Sequence, residues 1–260
     1  MEMIQSADGT TIAFDQLGAG PPLVLVSGAA CDRRVDAPLA DALAQRFTVL
    51  NYDRRGRGDS DDTPPYAVDR EVEDIAALVD AAGGTATVLG LSSGAVLAAE
   101  AAASGVAIKC LVMWEPPVSP DLAARRRFTA YAERLTELLG AGRRADALAH
   151  FMGFVGVPEE AIAQTRQSPY WPLGLSLAPT LAYDAAILGD GGIPTARLRR
   201  IGVPALVLSG TESPEFLRHA AALTAQAIPG ARHEELAGQD HDVAGAAITP
   251  VVAGFAAEHA

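Results

Sequence analysis

Apolar and β-branched residues in this chain gather into short unbroken runs set between amphipathic stretches. The runs are Leu23–Val26, Phe47–Leu50, Thr85–Leu89, Ile108–Trp114 and Ala205–Leu208. A strand with one wet face alternates apolar and polar residues, whereas an unbroken run of this length suits a parallel sheet covered on both faces. Residues 3–16 do alternate, around a turn at Asp8-Gly9, and predict a hairpin. Residues 34–46 read as helical, and 67–82 as an amphipathic helix starting after Pro64-Pro65. A short strand near 231–236 and a helix over 244–258 come last. Strands alternating with helices predict an α/β architecture, a doubly wound and mostly parallel sheet.

The rhythm breaks between 118 and 200. That stretch is helical and holds Phe128, Tyr131, Phe151, Phe154, Tyr170, Trp171 and Tyr183. The expectation is a core of residues 1–117 and 201–260, with 118–200 inserted as a helical cap over the carboxyl edge of the sheet, where ligands bind in such folds. Most of these aromatics are expected to glue the cap to the core. Phe128, Tyr131, Phe151, Trp171 and Tyr183 are also candidates to line a pocket.

Composition narrows the partners. The 260 residues are 49% hydrophobic, ample for a sizeable core, and carry a net charge of −12. A nucleic-acid partner would need a basic footprint, and an anionic membrane surface would repel this chain. The amino terminus has no basic and apolar leader, and no uncharged apolar stretch of about 18 residues occurs, so neither secretion nor a membrane span is expected. With only Cys31 and Cys110, the expected setting is the cytoplasm with both thiols reduced. Cys110 lies in a strand run and is expected in the core. Cys31 lies near the candidate site, though a serine is better placed as nucleophile.

That serine is Ser92. Gly90-Leu91-Ser92-Ser93-Gly94 follows a strand run and precedes the alanine-rich stretch 95–103. A G-x-S-x-G between strand and helix is the context of a nucleophile elbow, in which a sharp turn exposes the hydroxyl and leaves room for nothing larger than glycine beside it. A serine hydroxyl is a poor nucleophile without a base, and the base needs an orienting acid. Of the five histidines, His241 follows the last strand in a turn, Ala237–Asp242. His219 and His259 are expected at the surface, His233 in an edge strand and His150 in the cap. No H-E-x-x-H, C-x-x-C, phosphate loop or dinucleotide fingerprint occurs, so neither a metal nor an organic cofactor is expected.

Over its whole length the chain resembles the α/β-hydrolase superfamily. Val24-Leu25-Val26-Ser27-Gly28 matches the strand that usually ends in His-Gly. Asp53-Arg54-Arg55-Gly56-Arg57-Gly58-Asp59-Ser60 matches the D-x-R-G-x-G-x-S stretch; it follows a buried strand run and its glycines serve a tight turn, so no adhesion role is expected for Arg57-Gly58-Asp59. Ser92 falls at the elbow and His241 at the usual histidine turn. The resemblance implies a Ser-His-acid hydrolase whose oxyanion hole is made by the N–H groups of Ala29 and Ser93. Ser27 stands where a histidine is usual, and is expected to touch substrate or water; Gly28, Trp114 and Trp171 are the other expected substrate contacts.

The acid is displaced. Its usual place, three residues after Gly210, is Ser213. Glu115 ends the preceding strand, where some branches of the superfamily, certain haloalkane dehalogenases among them, carry their acid. Glu212 is the alternative. The expected reaction is cleavage of a neutral, hydrophobic, small-to-medium ester, lactone or thioester by a monomer or homodimer. The rival expectation is a recruited scaffold that binds a ligand, cyclises or transfers an acyl group and hydrolyses weakly.

Overall fold

The computed structural model describes residues 1–260. Eight strands form one sheet: β1 (Glu2–Gln5), β2 (Thr11–Leu17), β3 (Pro22–Val26), β4 (Thr48–Tyr52), β5 (Ala86–Leu91), β6 (Ile108–Trp114), β7 (Ala205–Gly210) and β8 (Arg232–Leu236). Their order across the sheet is β1-β2-β4-β3-β5-β6-β7-β8. The β1–β2 and β2–β4 pairs are antiparallel and the remaining pairs are parallel. The doubly wound, mostly parallel sheet expected from the apolar runs is therefore present.

Side chains alternate between two buried faces. Val24, Val26, Val88, Leu111 and Met113 pack against α2 (Val68–Ala81) and α3 (Ser93–Ala103). Leu23, Leu25, Leu89, Val112 and Trp114 pack against α1 (Ala37–Leu43) and α11 (Gly245–Glu258). Both faces are dry, which is why the runs never alternate with polar residues. β8 is the exception: as an edge strand it is mostly exposed and carries charge.

The chain passes from β3 outward to β4, then returns to place β5 on the other side of β3. Strand order reverses there, so the carboxyl ends of β3 and β5 flank the crevice where open α/β sheets bind ligands. Between β6 and β7 run six helices: α4 (Leu122–Gly140), α5 (Arg144–Phe154), α6 (Glu159–Thr165), α7 (Trp171–Leu177), α8 (Leu181–Leu188) and α9 (Thr195–Leu198). Phe128, Tyr131, Leu135, Leu148 and Leu181 form a separate apolar cluster among them. α8 packs on α3. α10 (Glu215–Ala227) joins β7 to β8.

α3 is buried along its whole length, and its alanines let it lie close to the sheet. The closest approach is at Gly94, where a Cβ would collide with the carbonyl oxygens of Val26 and Ser27 at the end of β3. Gly94→Ala is therefore expected to destabilise the protein by about 1–3 kcal/mol, the usual cost of overpacking a core. Chemical denaturation of the two proteins checks this; an unchanged midpoint would mean that β3 and α3 are not locked together.

Candidate active site

Ser92 joins β5 to α3 at φ 53° and ψ −122°. For a residue with a Cβ this is a strained backbone, worth on the order of 1–3 kcal/mol, that persists only where the surroundings enforce it. Gly90 and Gly94 enforce it by closeness. A Cβ on Gly90 would strike the carbonyl of Gly94, one turn later. Ser92 N–H donates to Trp114 O at 2.8 Å, which ties the turn to the end of β6. A Cβ on Gly28 would lie 3.2 Å from Ser92 Cβ, so the β3 loop passes directly beside the serine.

The residue after Trp114 is Glu115, also left-handed at φ 46° and fully buried. His241 Nδ1 donates to Glu115 Oε2 at 2.7 Å, and Gly210 N–H donates to Oε1 at 2.8 Å. Burial pushes the Glu115 carboxyl up, but the bonds from His241 and Gly210 outweigh it and hold the group below its ordinary range. Ser213, at the usual acid position, lies beside the same carboxylate. Glu115 thus reaches the imidazole from the neighbouring strand. Glu212 is exposed, with only Thr211 Oγ1 near it at 3.5 Å.

Trp114 links serine to histidine. Its carbonyl takes Ser92 N–H, while its indole Nε1 donates to His241 O at 2.9 Å. The histidine loop is also pinned at Gly210, where a Cβ would collide with Gln239 O. With Nδ1 engaged by Glu115, His241 Nε2 makes no hydrogen bond within the protein. No hydrogen bond joins His241 to Ser92 here; catalytic hydrogen bonds are often long before substrate binds.

Two N–H groups are aimed without a protein partner. Ser93 opens α3, so its N–H has no intrahelical acceptor. Ala29 N–H makes no backbone hydrogen bond. The loop holding Ala29 is fastened from behind by Arg57, whose Nη1 donates to Gly28 O at 2.6 Å and Cys31 O at 3.0 Å. Arg54 and Arg57 are almost fully buried and share the carboxylate of Asp184 on α8. Sequence reasoning gave Asp184 no notice and read Arg54 and Arg57 only as part of a turn motif. The signal available was a lone Asp among the apolar residues of Leu181–Leu188 and two arginines inside a glycine turn.

Other expected contacts lie elsewhere. Trp114 is 1% exposed and holds the serine and histidine loops rather than facing a cavity. Ser27 is equally buried, and Gly28 abuts Ser92 itself. Trp171 is half-buried against the insertion cluster, under the Arg166 guanidinium at 5.3 Å. Tyr183 stacks on Tyr66 with ring centroids 3.8 Å apart and donates to Asp62 at 2.6 Å. Phe128 and Tyr131 pack inside the insertion, with Phe151 against them. His150 bonds Tyr131 O, His233 bonds Ser209 Oγ, and His219 is exposed. Arg57 is too deeply buried to display an Arg-Gly-Asp motif. No group of three or more His, Cys, Asp or Glu side chains is placed to hold a metal ion, and no helix is long and apolar enough to cross a membrane.

Residues 23–253 match the model of the alpha/beta hydrolase family. An alpha/beta hydrolase from Sphaerobacter thermophilus DSM 20745 is 50% identical in structure-based comparison, with a TM-score of 0.89 over 98% of this chain and 99% of that one. The enol-lactonase from Burkholderia xenovorans LB400 is 26% identical, with a TM-score of 0.68 over 98% and 99%. Polyketide synthase ThaQ of Burkholderia thailandensis (strain ATCC 700388 / DSM 13276 / CCUG 48851 / CIP 106301 / E264) is 30% identical over 98% of this chain and 12% of its own. The chain spans between 12% and 38% of the length of the curated relatives it matches.

Cys31 borders the loop, with Sγ 3.4 Å from Ala29 O. Burial first, then the nearby Asp36 carboxylate, push its thiol up to about 12. The reactive thiolate is scarce below that pH. Alkylation of Cys31 by iodoacetamide at pH 8.5, followed by mass spectrometry, is expected to run more than tenfold slower than that of a free cysteine. It should accelerate only as the pH climbs toward 12.

Proposed function

This chain belongs to the alpha/beta hydrolase family, and on that footing we propose that it is a serine hydrolase of neutral, hydrophobic, small-to-medium esters, lactones or thioesters. The observation that carries the reading is the junction at Trp114-Glu115. One dipeptide holds the strained Ser92 turn through its carbonyl and His241 through an indole N–H and a buried carboxylate.

In this mechanism Ser92 Oγ attacks the acyl carbonyl while His241 Nε2 takes its proton. Glu115 keeps Nδ1 protonated and stabilises the imidazolium that forms. The N–H groups of Ala29 and Ser93 hold the developing alkoxide. His241 returns the proton to the leaving group, and water, activated by the same imidazole, releases the acid from Ser92. Each oxyanion donor is worth on the order of 3–4 kcal/mol of barrier. Residues 118–200 act as a cap over the carboxyl edge of the sheet. No cofactor enters any step. The setting is the cytoplasm, the partner a small molecule, and the protein a monomer or homodimer.

A second reading keeps the same acyl-enzyme but resolves it with an acceptor other than water, giving cyclisation or acyl transfer. The likeness to ThaQ over nearly the whole chain favours it. Incubation with an acyl thioester and an alcohol or amine, with products followed by mass spectrometry, distinguishes acid from transfer product.

The first test is hydrolysis of p-nitrophenyl esters from acetate to decanoate. Wild type is expected to turn over with an optimum at short to medium chains. Ser92→Ala should lower kcat about a thousandfold or more, and Glu115→Gln about a hundredfold to ten-thousandfold. Glu212→Gln should stay within about twofold, as surface changes usually do. Full activity in Ser92→Ala would overturn the reading, and full activity in Glu115→Gln would remove Glu115 from it.

A further inference from the structure

α8 carries one acidic residue, Asp184, among Leu181, Ala182, Tyr183, Ala185, Ala186, Ile187 and Leu188. It is 4% exposed. Stripping water from a carboxylate costs several kcal/mol unless the site returns matched partners. Both oxygens are matched. Oδ1 accepts from Arg54 Nη1 at 2.7 Å and from Ser93 Oγ at 2.8 Å; Oδ2 accepts from Arg57 Nη2 at 2.8 Å.

These partners lead to the two free N–H groups by different routes. Ser93 supplies one of them, and Asp184 grips its side chain. The other belongs to the peptide unit Gly28–Ala29. A trans peptide is planar, so its C=O and N–H point in opposite directions. Arg57 holds Gly28 O at 2.6 Å and Cys31 O at 3.0 Å, and Arg54 Nη1 reaches Ser27 O at 3.4 Å, so Ala29 N–H is turned away from the guanidiniums. Arg57 in turn pairs with no carboxylate except Asp184, and its Nε has no partner. Arg54 is anchored separately, by two 2.7 Å bonds to Glu71.

We infer that Asp184 is a positioning residue that aligns both donors of the oxyanion hole, Ser93 directly and Ala29 through Arg57. The inference rests on the assignment of Ser92 as nucleophile. It makes the insertion part of the catalytic geometry, because Asp184 arrives from α8, 91 residues beyond Ser93. The Arg57 and Arg54 charges outweigh burial and hold the Asp184 carboxyl below its ordinary range, so it stays ionised through the working pH.

The test compares wild type, Asp184→Asn, Ser93→Ala and Ser93→Thr in ester hydrolysis. It also measures binding of an alkyl trifluoromethyl ketone, whose hemiketal alkoxide sits where the reaction's oxyanion forms. Asp184→Asn is expected to lose kcat on the order of tenfold to a hundredfold, the scale of a misplaced reacting group, with KM within about twofold. Ketone affinity should fall by the same factor. Ser93→Ala, which leaves the ion pairs intact, should lose about threefold to fivefold in both readings, and Ser93→Thr should recover most of it. A purely structural role would lower the melting temperature and leave kcat and ketone affinity of the folded fraction alone; that outcome overturns the inference. If Asp184→Asn does not fold, wild-type kcat in Ser93→Ala overturns it by itself. If wild type hydrolyses no ester and Ser92 resists a fluorophosphonate, the nucleophile assignment fails and the inference falls with it.

Discussion

Two residues to either side of Ser92 there is no room for a side chain. A Cβ at Gly90 meets the first turn of α3, and one at Gly94 meets the end of β3. This steric limit presses the start of α3 against two strand ends and drives Ser92 into its left-handed backbone. The strain of about 1–3 kcal/mol is small beside what the same helix buries. Val96 and Leu97, both in the core, contribute on the order of 1.5–3 kcal/mol each. The core therefore over-determines the turn, and the serine cannot relax. The same closeness sets Gly28 beside Ser92, while Ser93 N–H is free because Ser93 opens α3.

Buried charge is handled in two distinct ways around that turn. Glu115 is a lone carboxylate that accepts from the Gly210 N–H and from the His241 ring, with no guanidinium or ammonium facing it. Beneath the Ala29 loop the opposite holds. Two guanidiniums face two carboxylates, Glu71 and Asp184, and the charges cancel inside the cluster. A buried pair of this kind adds little net stability over an apolar filling, but its directional bonds select one geometry. In the proposed mechanism the uncancelled charge steadies the imidazole, and the cancelled charge serves alignment.

Most aromatic residues of the insertion behave as packing, while Tyr170 is exposed. Phe128, Tyr131 and Phe151 close the small core among α4, α5 and α8, while Tyr183 stacks on Tyr66 to fasten α8 to the sheet domain. Aromatic rings bury large areas, and an insertion of six helices with no sheet of its own needs them for cohesion. Tyr66 also donates to Glu71, so the stacked pair and the ion cluster form one connected joint between insertion and core.

Much of this was legible in the chain itself. Strand positions follow from apolar runs because a doubly covered sheet tolerates nothing else, and Gly90, Ser92 and Gly94 announce the elbow because only glycine fits beside it. His241 stands out by its place after the last strand, and Glu115 by its place at a strand end, since a parallel sheet brings successive carboxyl ends to one edge. Local pattern could not choose between Glu115 and Glu212: the two lie 97 residues apart, and the choice depends on which strand ends beside the histidine loop. For the same reason Trp114 read as a substrate contact when its hydrogen bonds run to Ser92 and His241, and Asp184 drew no notice. The meeting of Asp184 with Arg54, Arg57 and Ser93 is made by α8 packing on α3, and a long-range contact of that kind leaves no periodicity in the sequence. Sequence alone determined which elements form and which residue types could react; tertiary packing decided which acid faces the imidazole and what holds Ser93 and the Ala29 loop in place.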